Sequence, residues 1–181
     1  MTIISIVASA LAASTFAAAG GEQIYAPALP NFIVGYEASD PQRGGAAIRE
    51  EVPKGETVEA WSRMVTTQRF GGLAQQISIY AFANGLARRM QASCPTATIV
   101  PPSTVILEGH VAARLEWSCP RLESTGKAET MLFIGFAVGR DVLIKQVAFR
   151  GPHGATDLDW GRSFLDRLRF CGGSAAIACP G

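Results

Sequence analysis

The strongest constraint on the fold comes from neighbouring segments with two different hydrophobic patterns. From residue 110 to 119, apolar and polar residues alternate, which is typical of a β-strand with one face in the core and one in water. Residues 130–138 are instead almost continuously apolar, as expected of a strand that is covered on both faces. A Gly-Arg-Asp turn signal at 139–141 leads to another apolar segment, 142–149. These segments predict an antiparallel sheet with 130–138 near its centre.

Three segments are predicted to be helices. The first begins after Thr57, a favourable N-cap residue, and ends at a pair of glycines, 71–72. The second begins after Ser78, another favourable N-cap residue, and Pro95 closes it. Its apolar residues recur at every fourth position: Phe82, Leu86, Met90 and Cys94. The last helix begins at Thr156 and ends at Cys171.

A hairpin is predicted before these helices, with strands at 32–36 and 46–52 joined by a loop rich in turn-forming residues. Residues 98–100 and 104–107 are predicted to be further short strands, on either side of Pro101-Pro102. Apart from these two short segments, the predicted order is β-β-α-α-β-β-β-α. This order indicates an α+β fold, an antiparallel sheet flanked by helices in a single domain.

The amino terminus has the pattern of an export signal. Residues 1–21 contain no charged side chain, and small residues at 17–19 precede Gly20, so cleavage is expected after Ala19. An uncleaved membrane anchor is the alternative, although alanine and serine dilute the apolar segment. The chain then divides into a signal peptide (1–19), a linker (20–28), one α+β domain (29–171) and a tail (172–181). This organisation predicts a periplasmic or secreted protein with no membrane span after cleavage.

Four cysteines permit three disulfide pairings: Cys94, Cys119, Cys171 and Cys179. The favoured pairing joins Cys94, at the end of a buried helical stripe, to Cys119, on the buried face of a strand. It joins Cys171 to Cys179, which closes the tail. Loop entropy gives these bonds about 3.5 and 2.6 kcal/mol, as upper-end figures. Free thiols in a cytosolic protein remain the alternative.

Composition excludes several functional classes. The chain has 181 residues, 48% of them hydrophobic, so it is not intrinsically disordered. Its 16 basic and 15 acidic residues nearly cancel, which provides no electrostatic basis for nucleic-acid binding. The sequence contains no G-x-S-x-G, H-E-x-x-H, G-x-G-x-x-G or P-loop motif, and no C-x-x-C pair that would indicate a zinc site. No catalytic, cofactor-binding or metal-binding residue is therefore assigned.

One polar strand face is the best place for a site. His110, Arg114 and Glu116 share the predicted wet face of strand 110–119. A histidine near a carboxylate has the chemistry of general acid–base catalysis, provided that the groups converge in a cleft. An ordinary solvated face with cross-strand charge pairs is the competing interpretation.

The stretch 51–70, EVPKGETVEAWSRMVTTQRF, resembles a recurring segment of small exported bacterial proteins with no assigned role. The predicted order of elements also resembles the Mog1/PsbP-like α/β sandwich, in which helices flank an antiparallel sheet. That resemblance implies a binding or assembly factor rather than an enzyme. It brings no set of functional residues with it.

Together these features predict an exported, non-enzymatic binding or accessory domain for an unknown protein or small-molecule ligand. A partner-binding or inhibitor-like envelope protein is one form of this hypothesis, and no cofactor is implied. The alternative is a hydrolase or transferase with its site near His110, Arg114 and Glu116. A structural envelope protein is a third possibility, and it would show a large exposed apolar patch.

Overall fold

A computed structural model describes residues 16–175 and 177–179, so most of the predicted signal peptide lies outside the described residues. The fold is α+β, as predicted, and most of it is antiparallel sheet. The described strands are β1 (Gln23–Tyr25), β2 (Phe32–Asp40), β3 (Ala46–Pro53), β4 (Arg63–Phe70), β5 (Thr98–Leu107), β6 (His110–Cys119), β7 (Glu129–Val138), β8 (Asp141–Arg150) and β9 (Arg169–Cys171). The described helices are α1 (Ile79–Ser93) and α2 (Ala155–Asp166).

Seven strands form the main sheet in the order β2-β3-β4-β8-β7-β6-β5. The predicted strands at 110–119, 130–138 and 142–149 are β6, β7 and β8, and each pairs antiparallel with the next. Strand β7 is buried along nearly its whole length, as its continuous apolar sequence indicates. Strand β5 is one edge strand rather than two short ones. Its register shifts between Val100 and Ser103, so the edge accommodates two prolines.

The predicted order of elements is wrong at the first helix. Residues 63–70 form β4, which lies between β3 and β8 in the sheet. Neighbouring side chains show the reason: Met64 packs with Trp61 and Val52 on one face, whereas Val65 enters the core on the other. The apolar residues whose spacing fits one face of a helix therefore lie on two opposite faces of a strand. The β-branched residues of this segment also favour the extended backbone.

Helix α1 is the second predicted helix, and it begins where the sequence indicates. Ser78 is its N-cap, with the Oγ atom accepting a hydrogen bond of 3.1 Å from the backbone N–H of Ala81. Its most buried residues are Ile79, Ala83 and Ala87, which lie against β6 and β7. The small alanines allow close approach, so the predicted stripe of larger residues flanks the contact and is only partly buried.

The last helix ends five residues before the predicted position, because the chain switches to a strand. After α2, β9 pairs with β1, and Gln23 lies opposite Cys171. Leu168 and Phe170 enter the core with the two-residue period of a strand. The predicted linker at 20–28 therefore contains part of the fold.

Two cores lie on opposite faces of the sheet. One packs under α2 and includes Phe136, Phe149 and Phe164. The other packs under α1 and contains the Cys94–Cys119 disulfide. The structure also has the predicted Cys171–Cys179 disulfide, and both bonds are consistent with an oxidising environment. Neither helix among the described residues is long and apolar enough to cross a membrane.

Candidate functional site

A cavity of about 430 Å³ lies between the α2 face of the sheet and the segment 23–29. Its floor, called the polar floor below, consists of Arg49, Glu51, Thr67 and Lys145. Its walls are residues 23–29 together with Phe16 and Cys171. A cavity of this size is within the usual range for small-molecule sites.

Strand register brings the polar floor together from three strands. Arg49 of β3 lies opposite Thr67 of β4, and Thr67 lies opposite Lys145 of β8. Residues directly opposite one another in neighbouring strands project from the same face of a sheet. The three side chains therefore form a row across the sheet, although they are far apart in the sequence.

Lys145 is the most deeply buried cation of this row, with only 4% of its surface exposed. Its Nζ donates a hydrogen bond of 2.6 Å to Thr67 Oγ1 and lies 3.6 Å from Glu51 Oε2. Burial lowers the pKa of Lys145, while the carboxylate of Glu51 opposes that shift and Arg49 adds to it. An ammonium has three donors, and a single hydrogen bond to the described residues leaves donor capacity for a ligand.

Arg49 also has unused hydrogen-bonding capacity. Its terminal nitrogens lie 3.7 Å from Glu37 Oε2 and 3.9 Å from Glu51 Oε1, distances of ion pairs rather than of hydrogen bonds. Its Nε is buried and has no hydrogen-bond partner within the part of the chain that the structure describes. The Nε atoms of Arg63 and Arg114 have the same status, so the capacity that a ligand can use belongs to the terminal nitrogens of Arg49, whose side chain is 39% exposed.

Strand pairing and a disulfide hold the wall of the cavity in place. Within the wall, β1 pairs with β9, and Cys171 of β9 is bonded to Cys179. Ser174 Oγ, in the loop closed by this disulfide, donates a 2.8 Å hydrogen bond to the Glu22 carboxylate just before β1. The segment over the cavity is therefore tied to the carboxyl-terminal end of the fold.

The fully buried carboxylate of Asp141 ties the amino-terminal residues to the sheet. It accepts hydrogen bonds of 2.8 Å from the N–H groups of Ala19 and Gly72, and two from Arg69, of 3.1 and 2.9 Å. Burial by itself would raise the pKa of Asp141, but these hydrogen bonds and the Arg69 charge hold the pKa below its ordinary value. Ala19 is the residue before the predicted cleavage point, so cleavage there would remove one of these contacts.

The structure does not bring His110, Arg114 and Glu116 to a common point. The His110 ring packs on Phe170 at 4.1 Å between centroids, and its Nε2 lies 3.8 Å from the Glu22 carboxylate. This histidine lines a separate cavity of about 340 Å³.

The other two predicted residues contact α2. Arg114 donates a hydrogen bond to Asp166, and Glu116 accepts hydrogen bonds of 3.0 and 2.8 Å from Arg162. These contacts attach α2 to the sheet. Arg114 and Glu116 therefore have a structural role in charge pairs, as in the competing interpretation of this strand face.

A larger cavity of about 660 Å³ lies beside Trp61 and Lys127, but its partly buried cation, Arg150, is already engaged. Arg150 packs over the Trp61 ring at 4.0 Å, and its Nε donates a 2.8 Å hydrogen bond to Glu129. Lys127 is exposed to water, whereas the polar floor contains a buried ammonium, that of Lys145, with unused donors. The polar floor is therefore the better candidate site.

Sequence reasoning missed Lys145, although its sequence carries a signal. The apolar sequence of residues 142–149 predicts a buried strand, and Lys145 is the one charged residue within it. A charged residue in such a stretch is expected to be paired or functional. Arg49 and Thr67 carry no comparable signal, since they become neighbours of Lys145 only through strand pairing.

Comparison with known protein families gives no match, and comparison with curated protein sequences also gives none. Among solved structures, the chain is similar to PA94 of Pseudomonas aeruginosa, a protein of unknown function. The two share 12% sequence identity with a TM-score of 0.49, over 82% of this chain and 96% of PA94. This likeness is too distant to transfer any property, and the resemblance to the Mog1/PsbP-like sandwich stays a prediction.

Proposed function

We propose that this protein is an exported binding domain that holds a small ligand with an anionic group on the polar floor. The observation that carries the proposal is the pair of cations, Lys145 and Arg49, with unused donors at a cavity of about 430 Å³. Export is supported by the apolar, uncharged segment 1–19 and by the two disulfides.

The energetic cost of Lys145 supports a binding role. Moving an ammonium out of water costs several kcal/mol, and partners must compensate for that cost. The polar floor supplies one hydrogen bond and a Glu51 carboxylate at 3.6 Å. An anion bound beside Lys145 and Arg49 would add charge-assisted hydrogen bonds to both cations. A position that is unfavourable in the empty protein becomes favourable in the complex.

The alternative hypothesis of a hydrolase or transferase gains no support from the residues that motivated it. His110 contacts β9 and the segment before β1, whereas Arg114 and Glu116 pair with two different residues of α2. The three groups provide no shared position at which a substrate could meet both a base and an anion-stabilising cation.

Thermal unfolding of the full-length chain tests the proposal. Acetate, benzoate and inorganic phosphate are each added at constant ionic strength to the wild type and to Lys145→Met, Arg49→Gln and Lys54→Met. At a hundredfold excess over Kd, a ligand adds about 2.7 kcal/mol, which corresponds to about 5–10 °C in Tm.

The expected result is that at least one anion raises the Tm of the wild type and of Lys54→Met, an exposed control, but not of the floor variants. Far-UV circular dichroism verifies that each variant is folded. Equal shifts in the wild type and in Lys145→Met would overturn the proposal, as would the absence of any shift.

A further inference from the structure

We infer that the ligand of this cavity is a monocarboxylic acid with an apolar body, an inference that rests on the proposed function and specifies the chemistry of its ligand. The carboxylate would lie on Arg49 and Lys145, and the body would lie under residues 23–29. Charge, geometry and wall chemistry each point to this class.

The charge of the polar floor fits a single negative charge. Among the lining residues, Arg49 and Lys145 are cationic and Glu51 is anionic, so the lining itself carries one net positive charge; Glu37, 3.7 Å from Arg49, lies outside the lining. A monoanion neutralises this charge. A dianion would exceed it and would be repelled by Glu51, whose carboxylate lies within 4 Å of both cations, at 3.9 Å from Arg49 and 3.6 Å from Lys145.

The geometry of the floor fits a carboxylate. Glu51 already bridges the two cations, but at distances too long for hydrogen bonds. A second carboxylate that is free to move can approach both cations more closely. The planar guanidinium of Arg49 matches a carboxylate with two parallel hydrogen bonds, a geometry that a lysine cannot provide.

The walls fit an apolar body. Most of the wall segment is apolar, with Ile24 followed by Tyr25, Ala26, Pro27, Ala28 and Leu29. At about 30 Å³ for each water molecule in the liquid, the cavity has the volume of roughly 14 waters. Acetate or phosphate would fill a small part of this space and would leave the apolar walls in contact with water. A medium-chain aliphatic acid or an aryl-substituted acid fills it.

Isothermal titration of the full-length chain compares five probes, with decanoate kept below its micelle concentration. Decanol has a similar body without the charge, acetate has the charge without the body, sebacate has a second carboxylate at the far end, and inorganic phosphate has a different anionic geometry. Decanoate is expected to bind at least about tenfold more tightly than each of the other four.

Variants separate the contributions of charge and geometry. Lys145→Met and Arg49→Gln are expected to weaken decanoate binding at least about tenfold, while Lys54→Met leaves it unchanged. Arg49→Lys keeps the charge but loses the planar fork. At the same chloride concentration, it is therefore expected to bind decanoate more weakly than the wild type. Thermal unfolding of each variant shows whether it is folded.

The outcomes distinguish the two proposals. If phosphate or acetate binds as tightly as decanoate and the floor variants abolish that binding, the ligand class is wrong while anion binding stands. If decanol binds as tightly as decanoate and the floor variants have no effect, both proposals are wrong. Absence of binding by all five probes would also overturn both.

Discussion

Lys145→Met is expected to make the empty protein more stable while it abolishes ligand binding. The Lys145 ammonium is almost fully buried; in compensation for lost hydration it donates one hydrogen bond, forms one ion pair and lies 5.9 Å from the centroid of the Phe164 ring. Methionine is unbranched and flexible, so it can fill the same space without a charge. Thr67 and Glu51 lose a partner, but Glu51 keeps the ion pair with Arg49 and is partly exposed to water.

The magnitude follows from these opposing contributions. Desolvation of a buried ammonium costs several kcal/mol, and a hydrogen bond to a charged group returns about 1.5–3 kcal/mol. Replacement of a whole buried ion pair by apolar residues of similar volume is often neutral or stabilising by about 1–4 kcal/mol. The lower part of this range applies to Lys145→Met, because Glu51 stays charged but keeps Arg49 and contact with water. A gain of about 1–2 kcal/mol is therefore expected at neutral pH, which corresponds to about 2–8 °C in Tm for a chain of this length.

The pH dependence gives the prediction a second, independent readout. Because burial lowers the pKa of Lys145 in the folded state, the unfolded chain binds more protons between that lowered pKa and the ordinary value of 10.5. The stability of the wild type therefore rises with pH through this window. The advantage of Lys145→Met is expected to shrink as the pH rises towards 10.5.

Urea unfolding at several pH values from 7 upwards measures these differences, with unchanged m-values as evidence for the same folded state. Lys54→Met is the matched control, and its exposed position predicts a change within about 0.5 kcal/mol. A loss of more than about 1 kcal/mol in Lys145→Met at neutral pH, with an intact fold, would refute the account of a poorly compensated cation.

Three further predictions concern the parts of the fold that hold the site. Replacement of Cys94 and Cys119 by alanine is expected to lower the free energy of unfolding by up to about 3.5 kcal/mol, and replacement of Cys171 and Cys179 by up to about 2.6 kcal/mol. Urea unfolding measures both losses. A larger loss for the disulfide that closes the shorter loop would contradict the loop-entropy argument. Because the pKa of Asp141 is lowered in the folded state, its stabilising contribution is present above the ordinary aspartate pKa of 3.8 and is lost as the pH falls through the lowered value. The free energy of unfolding is therefore expected to fall less steeply with decreasing pH in Asp141→Asn than in the wild type. A chain that lacks residues 1–19 loses the 2.8 Å hydrogen bond from Ala19 to Asp141, the buried Ala18 side chain and the backbone hydrogen bonds of Ala18 with Gly21 and Glu22. It is therefore expected to be less stable than a chain that lacks residues 1–13 by at least about 1.5–3 kcal/mol, the contribution of a hydrogen bond to a charged group, whereas equal Tm values would show that these contacts are dispensable.

Local sequence patterns were sufficient where one element could satisfy them by itself. Helix α1 begins after Ser78 because the side chain of that residue satisfies an N–H of the first turn, which is a local interaction. The same patterns failed at 63–70, where helical spacing and strand alternation both fit the apolar residues. Only the partners β3 and β8 decide between the two, since their backbone groups bond to this segment.

The candidate site shows the same limit more strongly. His110, Arg114 and Glu116 share a strand face as the sequence predicts, but β9 and α2 supply separate partners for them. The polar floor was not predicted because its members come from β3, β4 and β8, and register across three strands places them in one row. A single charged residue within an apolar strand was the one available signal, and it marked Lys145 without indicating its neighbours.

The sequence by itself therefore determined the strands β6, β7 and β8, the start of α1, the α+β class and a disulfide arrangement that the structure also has. These features depend on residue periodicity, capping and the positions of four cysteines along the chain. Tertiary structure alone decided that 63–70 is a central strand and that Arg49, Thr67 and Lys145 share a cavity floor. The physical reason is that burial and pairing between distant segments are properties of the assembled sheet, and no local window contains them.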